Sequence, residues 1–108
     1  MKPFDKVNFK GGIMEYNAFN IDFSKPMKEQ IWELNEDLVQ VSYLRGLDTN
    51  VLDIGWYPEM EPEENAGFKI VVVKNQNWED PIFSKTCRNE FDFFSVLAEA
   101  IEIAAFSN

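Results

Sequence analysis

The 108-residue sequence contains no histidine and a single cysteine, Cys87. Without histidine the chain lacks the commonest general base, the commonest metal ligand and the usual switch near neutral pH. One cysteine closes no disulfide within the chain and builds no cysteine-rich zinc site, which fits a reducing compartment. Basic side chains are scarce too: ten Lys and Arg face nineteen Asp and Glu, a formal net charge of −9. Long-range repulsion then opposes DNA, RNA and anionic lipid, so neither nucleic acid nor a membrane is an expected partner. No segment supplies the roughly 20 apolar residues of a membrane span. The best stretch, 91–106, is interrupted by Asp92, Glu99 and Glu102. The opening Met1-Lys2-Pro3-Phe4-Asp5-Lys6 is mixed polar, with no apolar run and cleavage site of a signal peptide after it, so a cytoplasmic protein is expected. Also missing are G-x-S-x-G, a phosphate-binding glycine loop and a dinucleotide fingerprint. No cofactor, no metal and no catalysis are expected.

What the chain does have is buriable area. Ten Phe, three Trp and three Tyr within 45% hydrophobic residues support one domain over 1–108 rather than a disordered tail. Residues 1–25 mix Phe4, Phe9, Tyr16, Phe19 and Phe23 with Gly11-Gly12 and several Asn, without a clean period. They read as a packed, irregular, aromatic-rich arm with a short strand around 13–19. Pro26 followed by Met27, Ile31 and Leu34 predicts a short helix over 26–35, capped by Ser24 or Lys25. Strict alternation predicts strands over 38–45, 51–57 and 82–88, with a turn over 46–50 between the first two. The β-branched run 68–74 predicts the central strand. Asn89, with Asp92 three residues on, predicts a helix start, and the helix runs to about 106. Its polar stripe of Asp92, Ser95, Glu99 and Glu102 is narrow, leaving two apolar flanks. The sheet and arm cover both, or the flank of Phe93, Val96, Ala100 and Ile103 serves a homodimer or partner interface. The expected fold is α+β: an antiparallel sheet of four to five strands, a short helix in the N-terminal half, and a C-terminal helix on one face, giving an α-β-β-β-β-α core over 26–108.

Two loops carry the candidate site residues. Between prolines that hold it extended, the stretch 58–67 places Glu59, Glu61, Glu63 and Glu64. A solvated loop explains them as readily as a basic partner does, and their spacing lacks the Asp-x-Asp-x-Asp-Gly pattern of a calcium loop. The stretch 75–81 carries Trp78, Glu79 and Asp80. Trp56-Tyr57 and Trp78 flank the loops, with Asp53, Glu79 and Asp80 between them, a combination suited to a cationic protein surface. Trp56 is in phase with Leu52 and Ile54 and belongs to the core, so Trp78 is the stronger contact residue. A hairpin reading places the two loops at opposite ends of 68–74, roughly 20–25 Å apart. Cys87 reads as a small packed residue.

The blocks Leu52-Asp53-Ile54-Gly55-Trp56-Tyr57-Pro58-Glu59, then Gly67-Phe68-Lys69-Ile70-Val71-Val72-Val73-Lys74, then Asn77-Trp78-Glu79-Asp80-Pro81 resemble small bacterial immunity proteins encoded beside polymorphic toxins, including those of contact-dependent growth inhibition systems. The resemblance covers roughly residues 50–105, about half the chain, and leaves out the first 25. It implies a cytoplasmic, non-catalytic inhibitor that binds one cognate toxin domain, often a nuclease, and masks its active site. It assigns no binding residue. A regulatory or adaptor domain is the alternative, and a carboxylate-based enzyme or ligand-binding protein a more remote one.

Overall fold

The computed structural model describes residues 3–107; Met1, Lys2 and Asn108, which the expected arm and domain bounds include, lie outside the described residues. The chain forms an α+β fold: a five-stranded antiparallel sheet in the order β1-β2-β3-β4-β5, with one long helix across one face. The strands are β1 (Ile13–Asn17), β2 (Val39–Arg45), β3 (Asp48–Tyr57), β4 (Gly67–Lys74) and β5 (Phe83–Cys87), followed by α1 (Glu90–Phe106). Asn89 caps α1 by accepting the Asp92 backbone N–H at 2.8 Å, as its sequence position foretells.

Alternation decides which side chains meet the helix. Val39, Val41 and Tyr43 of β2, Leu52, Ile54 and Trp56 of β3, and Phe68, Ile70 and Val72 of β4 are all fully buried. They meet Phe93, Leu97, Ala100, Ile101 and Ala104 of α1 in one core. The arm seals this layer at the Phe68 end. Phe68 packs 4.7 Å from Phe93, 4.9 Å from Trp56 and 5.8 Å from Phe19 (ring centroids), offset and edge-on contacts that add to area burial. Phe4, Phe9 and Phe23 extend the cluster. On the flank of Phe93, Val96, Ala100 and Ile103, Phe93 and Ala100 are buried and Val96 and Ile103 pack against the core. This flank thus follows the first of its two readings, cover by the sheet and arm.

Polar side chains finish the helix. Asn50, buried on β3, donates its amide to the carbonyls of Ala104 at 2.9 Å and Ser107 at 3.1 Å. Arg45 donates to Ala105 O and, at 3.2 Å, to Lys10 O. A guanidinium at a helix C-terminus satisfies orphan carbonyls and favours the dipole.

Four expectations are corrected. The helix over 26–35 is instead two 3₁₀ turns, Met27–Glu29 and Ile31–Glu33, divided at Gln30 (φ −139°, ψ 38°). The buried Gln30 amide is the reason: its Oε1 accepts from Asp22 N–H and its Nε2 donates to Asp22 O, both at 2.8 Å. Those bonds to the arm outweigh a weak helical period. Pro26, not Ser24 or Lys25, stands at the cap without a side-chain bond, and Ser24 bonds Asp22. The central strand is β3; β4 is interior, paired to β3 and β5. The turn over 46–50 shrinks to Gly46 and Leu47, because Arg45 pairs with Asp48 and Gly46 takes φ +65°, a conformation costless only for glycine. The loop after β3 is folded rather than extended, as described next.

Candidate functional site

The sheet face away from α1 is only partly covered, and it gathers most of the exposed aromatic and acidic side chains of interest. In β3 the residues alternating with the core, Asp53, Gly55 and Tyr57, point to this face, and the register sets Asp53 beside Val71 and Gly55 beside Lys69. Gly55 is required. A Cβ there would strike the Glu36 carbonyl, because residues 35–38 cross β3 at this point, with Asn35 O accepting from Trp56 N–H at 2.8 Å. The crossing brings Glu36 and Asp37 beside Asp53 and Tyr57.

Trp78 joins them from the other end of β4. The Asn75 side chain anchors its loop, accepting from Thr49 N–H and donating to Asp48, both at 2.9 Å. Asn75 and Gln76 at φ +52° and +63° then reverse the chain, and Ile82 N–H returns to Val72 O at 2.9 Å. Trp78 and Pro81 therefore lie back on the sheet. With Asp53, Tyr57, Lys69 and Val71 they line a groove of about 120 Å³. Trp78 and Tyr57 keep 48% and 39% of their surface exposed. The two loops leave opposite ends of β4, as the hairpin reading has them, and Trp78 turns back to share a groove with Tyr57 of β3. Glu79 and Asp80 stand exposed in the turn between Trp78 and Pro81, outside the lining.

The acidic loop at the Tyr57 end is organised by Arg88, which no sequence signal marked. Its guanidinium donates to the carbonyls of Pro62 and Ala66, both at 2.7 Å, and to Glu63 O, while lying over the Trp56 ring. Trp56, fully buried, donates its indole N–H to Glu61 O at 2.8 Å. Carbonyls thus turn inward, and Glu59, Glu63 and Glu64 project outward with Glu61 half-buried. Among the described residues none of the four pairs with a basic side chain; the ion pairs are Lys10–Glu102, Lys74–Asp48 and Lys85–Glu99. Glu64 lines a second hollow that shares Tyr57 and Lys69 with the groove, so the acidic loop adjoins the groove at its Tyr57 side.

Electrostatics mark the same place. Burial raises the Asp53 pKa above the ordinary carboxylate value; the Gln40 amide, donating at 2.8 Å, opposes the shift and the nearby Asp37 charge adds to it. Burial also raises the Tyr57 phenol, helped by Asp53, Glu36, Asp37 and Glu59. Four acidic groups, Asp53, Glu36, Asp37 and Glu59, thus place negative charge beside the Tyr57 ring. Cys87 is half-buried, with its thiol pushed up to about 11 by burial and the Asp92 charge, so it is an unreactive packed residue.

Other places carry less chemistry. A larger hollow, about 620 Å³, lies between the arm and the start of α1. Two of its polar groups bond locally: Asn17 accepts from Phe19 N–H and Asp22 accepts from Ser24. Among the described residues no cluster of three His, Cys, Asp or Glu could hold a metal ion, and no helix is long and apolar enough to cross a membrane. Comparison with protein-family models, curated proteins and solved structures returns no match to this chain.

Proposed function

We propose that this protein is a stoichiometric inhibitor of the immunity kind, acting in the cytoplasm without catalysis, and that it binds a basic toxin domain through the sheet face opposite α1. One observation carries the reading: Trp78 and Tyr57, half-exposed, share a groove with Asp53, and the charges of Glu36, Asp37 and Glu59 act on Tyr57. Trp and Tyr are the side chains that anchor protein interfaces, and carboxylates around them select a cationic partner. A nuclease presents a cationic cleft to its substrate, so a protein of net charge −9 is steered to it and can occupy the phosphate path. Glu59, Glu61, Glu63 and Glu64 extend the negative field from one end of the face, and Glu79 and Asp80 from the other. On β1 and β2 the exposed Ile13, Tyr16 and Leu44 supply apolar area on the same sheet face.

The test is capture of the product of the adjacent gene by the purified protein, with growth measured when the two are co-expressed. A one-to-one complex and rescue of growth are expected. An adjacent product that is harmless and unbound rejects the immunity reading.

A further inference from the structure

The groove between Trp78 and Tyr57 has the construction of a socket for one side chain. Its volume of about 120 Å³ is far below the 300–1,000 Å³ typical of small-molecule sites. It admits the end of a long side chain and no cofactor. It is lined by the aromatic residues Tyr57 and Trp78, by Pro81 and Val71, and by Asp53 and Lys69. Gln40 occupies Asp53 Oδ2 at 2.8 Å, and among the described residues no donor is bonded to Oδ1. Glu36, Asp37 and Glu59 lie close enough to act on Tyr57. Aromatic faces beside a carboxylate suit a planar cation, which stacks on the ring and bonds the free oxygen edge-on.

The fold already contains a cation in this place. Lys69 lines the groove and holds its Nζ 5.8 Å from the centre of the Tyr57 ring. It is exposed and forms no ion pair among the described residues, so its flexible stem can swing to solvent. From this geometry we infer that the groove receives an arginine side chain of the protein partner, inserted between Trp78 and Tyr57 onto Asp53, and that Lys69 is the internal cation it displaces. The inference rests on the proposed partner surface and adds the residue chemistry that would read it.

A tripeptide isolates this step from the partner. Acetyl-Gly-Arg-Gly-amide is titrated into the full-length protein while the Trp78 indole N–H and the Lys69 and Val71 amides are followed by NMR. The isosteric, uncharged citrulline peptide is the control ligand. Saturable shifts at those three positions are expected with arginine and not with citrulline. Asp53→Asn should weaken binding about tenfold, and Trp78→Ala several-fold, for loss of a charge-assisted bond and of a stacking face. Lys69→Met should tighten it several-fold by vacating the ring. Glu29→Gln, which removes an exposed charge away from the groove, should leave it unchanged. Dispersed spectra of Asp53→Asn and Lys69→Met establish that both are folded. Equal effects of Asp53→Asn and Glu29→Gln, equal response to citrulline, weaker binding by Lys69→Met, or no saturation would overturn the inference. If the tripeptide binds as expected but the adjacent gene product does not bind the protein, the groove stands and the immunity reading fails. If the gene product binds wild type and Asp53→Asn alike and the tripeptide does not bind, the reverse holds.

Discussion

Arg88 shows how one side chain can shape a loop distant from it in sequence. Its fork holds three carbonyls of the loop between β3 and β4 and covers Trp56, so the outward aim of the glutamates depends on it. Hydrogen bonds to a charged group contribute about 1.5–3 kcal/mol each and do not add fully. Arg88→Met should therefore cost about 2–3 kcal/mol in urea unfolding; a loss below 0.5 kcal/mol, within the usual range for surface substitutions, would mean the loop holds itself. Asp53 has the opposite effect on stability. Its pKa is raised in the fold above the ordinary 3.8, so the native state keeps the Asp53 proton to higher pH than the unfolded chain does. Stability is then lost as pH rises from the ordinary value through the raised one, and the cost is carried above it. Asp53→Asn should be more stable than wild type at pH 7, with the gap closing below about pH 4. A less stable variant at neutral pH would show that the carboxylate is structural and not held at a cost for binding.

At the scale of elements, Gly55 sets the site by letting residues 35–38 cross β3. Gly55→Ala places a methyl against the Glu36 carbonyl, a backbone atom that cannot rotate away, so it should destabilise the protein by about 2 kcal/mol or more. Amide shifts confined to 35–38 and 53–57 would locate the strain there, and an unperturbed, fully stable variant would contradict the crossing. The strands and α1 were legible in the sequence because period, β-branching and the Asn89 cap all agree, as at Val39, Val41 and Tyr43 or Leu52, Ile54 and Trp56. The departures occur where tertiary hydrogen bonds decide: Gln30 breaks the helix by bonding the arm, and Arg88 folds the acidic loop from 22 or more residues away. Trp78 reads as an exposed aromatic, but the groove it lines takes Lys69 and Val71 from β4 and Asp53 and Tyr57 from β3, which the β3–β4 register and the reversal at Asn75 and Gln76 bring together. The reversal at Asn75 and Gln76 rests on positive φ at two non-glycine residues, for which the chain carries no glycine signal.

For the molecule as a whole the excess of acid is a question of rate. Steering by a charge of −9 is screened within about 10 Å at 0.1 M salt, so partner association should slow as salt rises while dissociation changes little. Reversing Glu61, Glu63 and Glu64 to lysine should lower the association rate chiefly; an association rate indifferent to salt would remove electrostatics from recognition. The central claim is that the partner binds the face opposite α1, and two exposed aromatics on opposite sides decide it. Trp78 lies on that face, and Phe91, 82% exposed, on α1. The dissociation constant of the adjacent gene product is to be measured for Trp78→Ala and Phe91→Ala, each first shown to unfold like wild type. Trp78→Ala should weaken binding by about 2 kcal/mol, roughly 30-fold, with Phe91→Ala at the wild-type value; loss on Phe91→Ala with Trp78→Ala unchanged would place the partner on the helix and contradict the assignment.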